Sequence, residues 1–168
     1  MPILYIMCGV GFAGKSTLAK NISEHLEIPL VSQDGLFFEK EKELNLNQDS
    51  DAQWEMLLGM CKQRIREIMT EGKSVVFDNV NLKHAHRDEL REIAKEVGGK
   101  AVVIYLDTPE ETLNKRQDRN KVTRERHDVK QEYLDDAKMQ LEIPQRGEDV
   151  YTFTPETNLE QFLDNLPK

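Results

Sequence analysis

The apolar residues of this chain follow two spacings that take turns. Ile3-Leu4-Tyr5-Ile6-Met7-Cys8 is a short unbroken run, the pattern of a strand buried on both faces. Pro29-Leu30-Val31-Ser32, Ser74-Val75-Val76-Phe77 closed by Asp78, Ala101-Val102-Val103-Ile104-Tyr105-Leu106 and Val150-Tyr151-Thr152-Phe153 read as four more strands. Between them the spacing changes to three and four. Leu18, Ala19, Ile22 and Leu26 predict a helix over 16–26, and Trp54, Leu57, Leu58, Cys61, Ile65, Ile68 and Met69 a long one over 51–72 with Gly72 as its stop. Further helices are predicted over 83–97, over 129–143 up to Pro144, and over 158–166. Thr108 is placed to cap a helix that opens on Pro109 with Glu110-Glu111 in its first turn.

Five strands alternating with helices predict an α/β fold, a five-stranded parallel sheet with helices on both faces and the first strand at its centre. Residues 36–50 and 114–128 break the rhythm. They are too polar for core and are expected to be functional loops, the second a lid. At 168 residues the chain fits one domain, 1–168.

Charge narrows the function. Thirty-one acids against 23 bases give a net charge of −8, which argues against binding duplex nucleic acid over the whole surface. Cys8 and Cys61 make no disulfide framework, as in a reduced cytosolic, cytoplasmic protein. No run approaches a membrane span, and the start carries no signal-peptide pattern.

Gly9-Val10-Gly11-Phe12-Ala13-Gly14-Lys15-Ser16 carries the chemistry. It fits G-x-x-x-x-G-K-[ST] and lies between a buried strand and a helix, the context that this motif requires. Such glycines let backbone N–H groups turn inward on an anion, and the helix N-terminus adds partial positive charge. Lys15 is expected to reach the outer phosphates of ATP, Ser16 to give Mg2+ a hard oxygen, and Thr17 to lie near the innermost phosphate.

In an open parallel sheet, ligands sit at the carboxyl ends of the strands. Asp34 follows the second strand and Asp78 ends the third. Phosphoryl transfer to a hydroxyl needs a proton acceptor and a holder of metal or its waters. Asp34 is the candidate base and Asp78 the candidate metal ligand. Leu36, Phe37 and Phe38 fit either an apolar acceptor pocket or core. From Asn114 to Lys130 stand seven bases, Lys115, Arg116, Arg119, Lys121, Arg124, Arg126 and Lys130, against three acids. Arg116 and Arg119, three apart, can share a helix face and stabilise charge on the transferred group. His84, His86 and His127 read as surface or capping residues, Cys8 as inert packing and Trp54 as core.

These residues resemble the P-loop kinases grouped around polynucleotide 5′-kinase and the zeta-toxin-like kinases, a branch of the AAA-like ATP-binding domains. The resemblance spans about 3–150. It rests on the phosphate loop, Ser32-Gln33-Asp34, Asp78 with Asn81 and Arg87, Arg116 with Arg119, and Leu141-Glu142-Ile143-Pro144-Gln145-Arg146-Gly147-Glu148-Asp149. It implies ATP and Mg2+, Asp34 as base and phosphate-binding lid arginines. In the polynucleotide kinases an acid and then an arginine for the acceptor phosphate follow the base. Here Gly35-Leu36-Phe37-Phe38 follow, with no base before Lys40. The expected function is transfer of the γ-phosphate of ATP to a small-molecule hydroxyl, of a nucleoside, sugar-like compound or other metabolite. A 5′-polynucleotide kinase and a nucleotide-binding ATPase switch are the alternatives.

Overall fold

The computed structural model describes residues 1–125, 129–145 and 147–168. Its five strands are β1 (Ile3–Cys8), β2 (Leu30–Ser32), β3 (Val75–Asp78), β4 (Lys100–Leu106) and β5 (Val150–Phe153). Seven helices accompany them: α1 (Lys15–Leu26), α2 (Gln33–Leu44), α3 (Asp51–Thr70), α4 (His84–Glu96), α5 (Glu110–Thr123), α6 (Gln131–Gln140) and α7 (Leu159–Asp164). The sheet order is β2-β3-β1-β4-β5 and every pairing is parallel. The fold expected from the alternation of spacings is the one observed, with β1 in the middle.

Burial explains the unbroken runs. All six residues of β1 are buried; the first five alternate between two cores, and Cys8 packs with Val103 and Tyr105. Ile3, Tyr5 and Met7 face a core built with Leu18, Ala19 and Ile22 of α1 and Phe162 and Leu163 of α7. Leu4 and Ile6 face a second one with Cys61, Ile65 and Ile68 of α3 and Leu90 and Ile93 of α4. With helices on both faces a polar residue at either parity would be stranded, so a period of two cannot show in the sequence.

Four details differ from expectation. Most of 36–50 belongs to α2: the Ser32 hydroxyl caps this helix by accepting from the Gly35 N–H at 3.1 Å, and Asp34 lies in the first turn. Only Gln33 and Phe37 of α2 are buried, so its polarity is that of a solvated helix rather than a loop. Likewise 114–123 is helical, the continuation of α5, in which Leu113 and Asn120 are the buried residues. Thr108 does not cap α5. Pro109 holds that position, and the Thr108 hydroxyl instead donates to the Ala13 carbonyl at 3.1 Å. α6 ends at Gln140, short of Pro144, because the chain turns extended at Leu141 and the Glu142 N–H goes to the Leu82 carbonyl at 3.0 Å. Arg126, His127 and Asp128 of the basic strip, and Arg146, lie outside the described residues. Among the described residues no helix is long and apolar enough to cross a membrane.

Candidate active site

The carboxyl ends of β1, β2 and β3 lie side by side, and three chemical features meet there. The first is the phosphate loop, held open by its backbone. Phe12 has φ 64° and Gly14 has φ 102°, both left-handed, and Gly14 is the N-cap of α1 without any side-chain cap bond. The phenyl ring of Phe12 and the methyl of Ala13 are buried in the core, so the loop is anchored by its apolar side chains and presents backbone. Gly9, at φ 155°, takes a backbone conformation that side chains disfavour, and a Cβ there would just touch the Leu106 carbonyl at 3.4 Å. Its N–H donates to the Val80 carbonyl at 3.1 Å, which ties the loop to the segment after β3.

The loop carbonyls are occupied by cations and hydroxyls. Lys15 Nζ donates to the Val10 carbonyl at 2.7 Å. Arg116 Nη1 donates to the Phe12 and Ala13 carbonyls at 3.0 and 2.8 Å. Arg116 thus stands on the phosphate loop itself, whereas Arg119 turns to Glu125 at 3.3 Å. Sequence reasoning grouped the two arginines; the structure separates them. Leu134 of α6 covers Gly11, whose substitution by any larger residue would bring a Cβ to 2.5 Å from Leu134 Cδ2.

The second feature is the pair of carboxylates. Ser32 and Asp78 are register partners across β2 and β3, so Asp34 and Asp78 project from adjacent strand ends. They differ in environment: Asp78 is buried and Asp34 is exposed in the first turn of α2. Ser16 and Thr17 are exposed in the first turn of α1. A hydroxyl and a carboxylate are hard oxygen donors and fit Mg2+, which binds through one or two protein oxygens, waters and substrate phosphates. The described residues hold no cluster of three or more His, Cys, Asp or Glu, the kind of cage that Mg2+ on a nucleotide does not need.

The third feature joins residues that the sequence offered only as separate pieces of a resemblance. Arg87 is fully buried, and its guanidinium bridges three segments. Nε and Nη2 donate to the Glu148 carboxylate at 2.8 and 3.1 Å, Nη1 to the Asn81 and Leu82 carbonyls at 3.0 and 2.8 Å, and Nη2 also to the Glu142 carbonyl at 3.0 Å. Asn81, at φ 43°, sends its Nδ2 to the Met7 carbonyl at 2.8 Å. Asn81 and Arg87 together lock the chain after β3 and the segment before β5 onto the end of β1. Burial pushes the Glu148 carboxyl up, but hydrogen bonds from Arg87, Arg91 and the Gln145 N–H outweigh it and bring it down to about 2. The Cys8 thiol receives Arg87 Nη1 at 3.7 Å, yet burial dominates and pushes it up to about 11, so it is no nucleophile.

The clamp predicts an acid response. Glu148 is depressed from 4.5 to about 2 in the folded chain, so its stabilisation is complete above about 4.5 and is lost as pH falls towards 2. Glu148→Gln should flatten the fall in the urea midpoint across that window. Arg87→Met, which leaves Glu148 buried without its main partner, should cost about 3–5 kcal/mol in chemical denaturation at neutral pH.

A parallel sheet whose central strand runs through a G-x-x-x-x-G-K-S loop into a helix defines the P-loop nucleotide-binding class. Within that class the chain belongs to the AAA domain family, matched over residues 4–144, and it is a P-loop kinase. A probable gluconokinase from Schizosaccharomyces pombe is 30% identical over 166 residues, covering 94% of this chain and 82% of that protein. Two solved structures are similar in fold. A gluconokinase from Sinorhizobium meliloti 1021 has TM-score 0.66 and 22% identity, over 97% of this chain and 88% of that one. The APS kinase CysC of Mycobacterium tuberculosis, in complex with AMPPNP and APS, has TM-score 0.65 and 17% identity, over 97% and 94%.

Proposed function

We propose that this protein is an ATP- and Mg2+-dependent phosphotransferase that moves the γ-phosphate of ATP to a hydroxyl of a small, sugar-like acceptor. One observation carries the reading: the phosphate loop opens onto two adjacent strand ends, one bearing an exposed carboxylate and the other a buried one. The full-length likeness to a probable gluconokinase supports a sugar-like acceptor over a nucleic acid.

In this reading the backbone N–H groups of Gly9–Ser16 and the α1 N-terminus hold the phosphates, with Thr17 beside the innermost one. Lys15 leaves the Val10 carbonyl for the outer phosphates. Asp34 accepts the proton of the acceptor hydroxyl as its oxygen bonds to the γ-phosphorus, and the bond to the β–γ bridging oxygen breaks to release ADP. Ser16 and Asp78 would hold Mg2+, directly or through its waters, and the ion would supply positive charge against the phosphates. Arg116, already against the loop, stabilises the equatorial oxygens, and Arg119 joins it by leaving Glu125. Chain 1–168 acts as one kinase domain, with 114–128 as its lid. Lys130, just past that segment, reaches Asp49 in the α2–α3 connection at 2.6 Å, so the lid side and the acceptor side touch.

A panel of hydroxyl acceptors with labelled ATP, including neutral sugars, sugar acids, nucleosides and a 5′-hydroxyl oligonucleotide, tests the proposal. Label is expected on a small acceptor. Label only on the oligonucleotide, or release of phosphate with no acceptor labelled, overturns it. The lid is tested separately by hydrogen exchange. The amides of 114–128 should exchange more slowly with an ATP analogue, and equal exchange with and without it removes the lid.

A further inference from the structure

We propose that Asn81 is a positioning residue for phosphoryl transfer: its side-chain amide sets where the phosphate loop begins relative to Asp78. The inference rests on the reading of that loop and Asp78 as the Mg·ATP site.

The sheet runs out at this place. β1 pairs with β3 from Leu4 and Val75 to Ile6 and Phe77, whereas its pairing with β4 continues to Cys8 and Tyr105. On the β3 side the last peptide groups of β1 therefore need other partners. Asn81, buried, supplies one: its Nδ2 donates to the Met7 carbonyl at 2.8 Å. Val80 supplies the next: its carbonyl accepts the Gly9 N–H at 3.1 Å. The two bonds run in opposite directions, as ladder bonds do, but they join β1 to an irregular segment.

Three restraints hold this segment in the conformation that both bonds require. Asn81 is left-handed at φ 43°, a region that asparagine enters more readily than most residues with a side chain. Its carbonyl accepts from Arg87 Nη1 at 3.0 Å. The Val80 N–H donates to Asn79 Oδ1 at 2.8 Å. The Val80 side chain is exposed, so what this residue contributes to the tie is backbone.

What lies at either end gives the tie its consequence. Gly9 is the first residue of the phosphate loop, and with its N–H committed to Val80 the following peptides leave β1 in a fixed direction. Asp78 is the last residue of β3, three before Asn81. Asn81 thus links the start of the loop to the carboxylate proposed to hold Mg2+. Without its amide the exit of β1 is tied to this segment by one bond in place of two. A shift of about 1 Å between the two halves of the site is enough to cost roughly 10²-fold in rate.

The test is a double-mutant cycle of Asn81→Gly with Asp78→Asn in the full chain. Glycine keeps the left-handed backbone and removes the amide. Asn81→Gly should lower kcat roughly 10²-fold, raise the Mg2+ concentration for half-maximal rate roughly tenfold and leave KM for the acceptor unchanged. In the Asp78→Asn background the same change should cost under about threefold, because there is no longer a carboxylate to position. Ile93→Val, in the core on the α4 side, is the control: it should lower the melting temperature and leave all three readings alone. Parental kcat in Asn81→Gly, equal losses in both backgrounds, or an effect confined to the KM of the acceptor overturns the proposal. If Asn81→Gly does not fold, the same readings are taken on Asn81→Asp, which keeps the shape and has no N–H to give. Failure of both to fold makes Asn81 a structural residue and also overturns it. If the parent transfers phosphate to no acceptor, the proposed function fails, and positioning is decided by affinity for a non-hydrolysable ATP analogue with Mg2+. A roughly tenfold loss on Asn81→Gly that disappears in the Asp78→Asn background sustains it, and parental affinity overturns it.

Discussion

Lys15→Ala is expected to lower kcat/KM by roughly 10³-fold, the scale of losing a preorganised donor aimed at developing charge. The geometry explains why so little else should change. Lys15 is half-buried, and its ammonium is held by the Val10 carbonyl at 2.7 Å, inside the loop it serves. The loop stays shaped without it, because Phe12 and Ala13 anchor it in the core and Arg116 braces their carbonyls. The variant should therefore melt close to the parent while transferring almost nothing. Turnover at the parental rate would remove the phosphate-loop mechanism. Loss of activity together with a collapsed melting temperature would make Lys15 a structural residue.

Asp34→Asn is expected to cut the single-turnover rate by roughly 10²–10⁴-fold, the usual contribution of a general base. The change keeps the shape of an exposed side chain and removes only its charge, and the α2 cap is made by Ser32 and survives. ATP affinity should be retained, so the loss falls on kcat rather than on the KM for ATP. Asp78→Asn is the opposing control. Its loss should show first as weakened Mg·ATP binding, because Asp78 lies buried at the end of β3. If Asp34→Asn weakens Mg·ATP and Asp78→Asn does not, the two carboxylates have exchanged roles. Transfer at the parental rate by Asp34→Asn leaves it a turn residue.

The sheet was readable from the sequence because each strand is a dense apolar run, and its bounds fall within a residue or two of those runs. α2 and α5 were not. Each buries two residues, so neither writes a helical stripe, and helix-forming Glu, Lys, Gln and Arg on solvated faces looked like loop. The phosphate loop was legible because its spacing is local. Placement of Asp34 and Asp78 at adjacent strand ends followed from the sheet alone. The Arg87–Glu148 pair spans 61 residues, and no local pattern announces it. Its signals were an arginine opening a helix otherwise patterned for core, and a glutamate in a Pro- and Gly-containing segment. Neither says that the two meet.

The central place of β1 also bears on how the chain is made. Its neighbours in the sheet come long after it: Leu4 pairs with Val75, and Ile3 with Lys100. At about 5–20 residues per second, a ribosome leaves this strand without either partner for several seconds. Ile3–Cys8 holds six residues with no charge, no glycine and no proline, the composition that favours stacking on copies of itself. Expression at a lowered temperature or with a holding chaperone should raise the yield of folded chain more than any change to the mature surface.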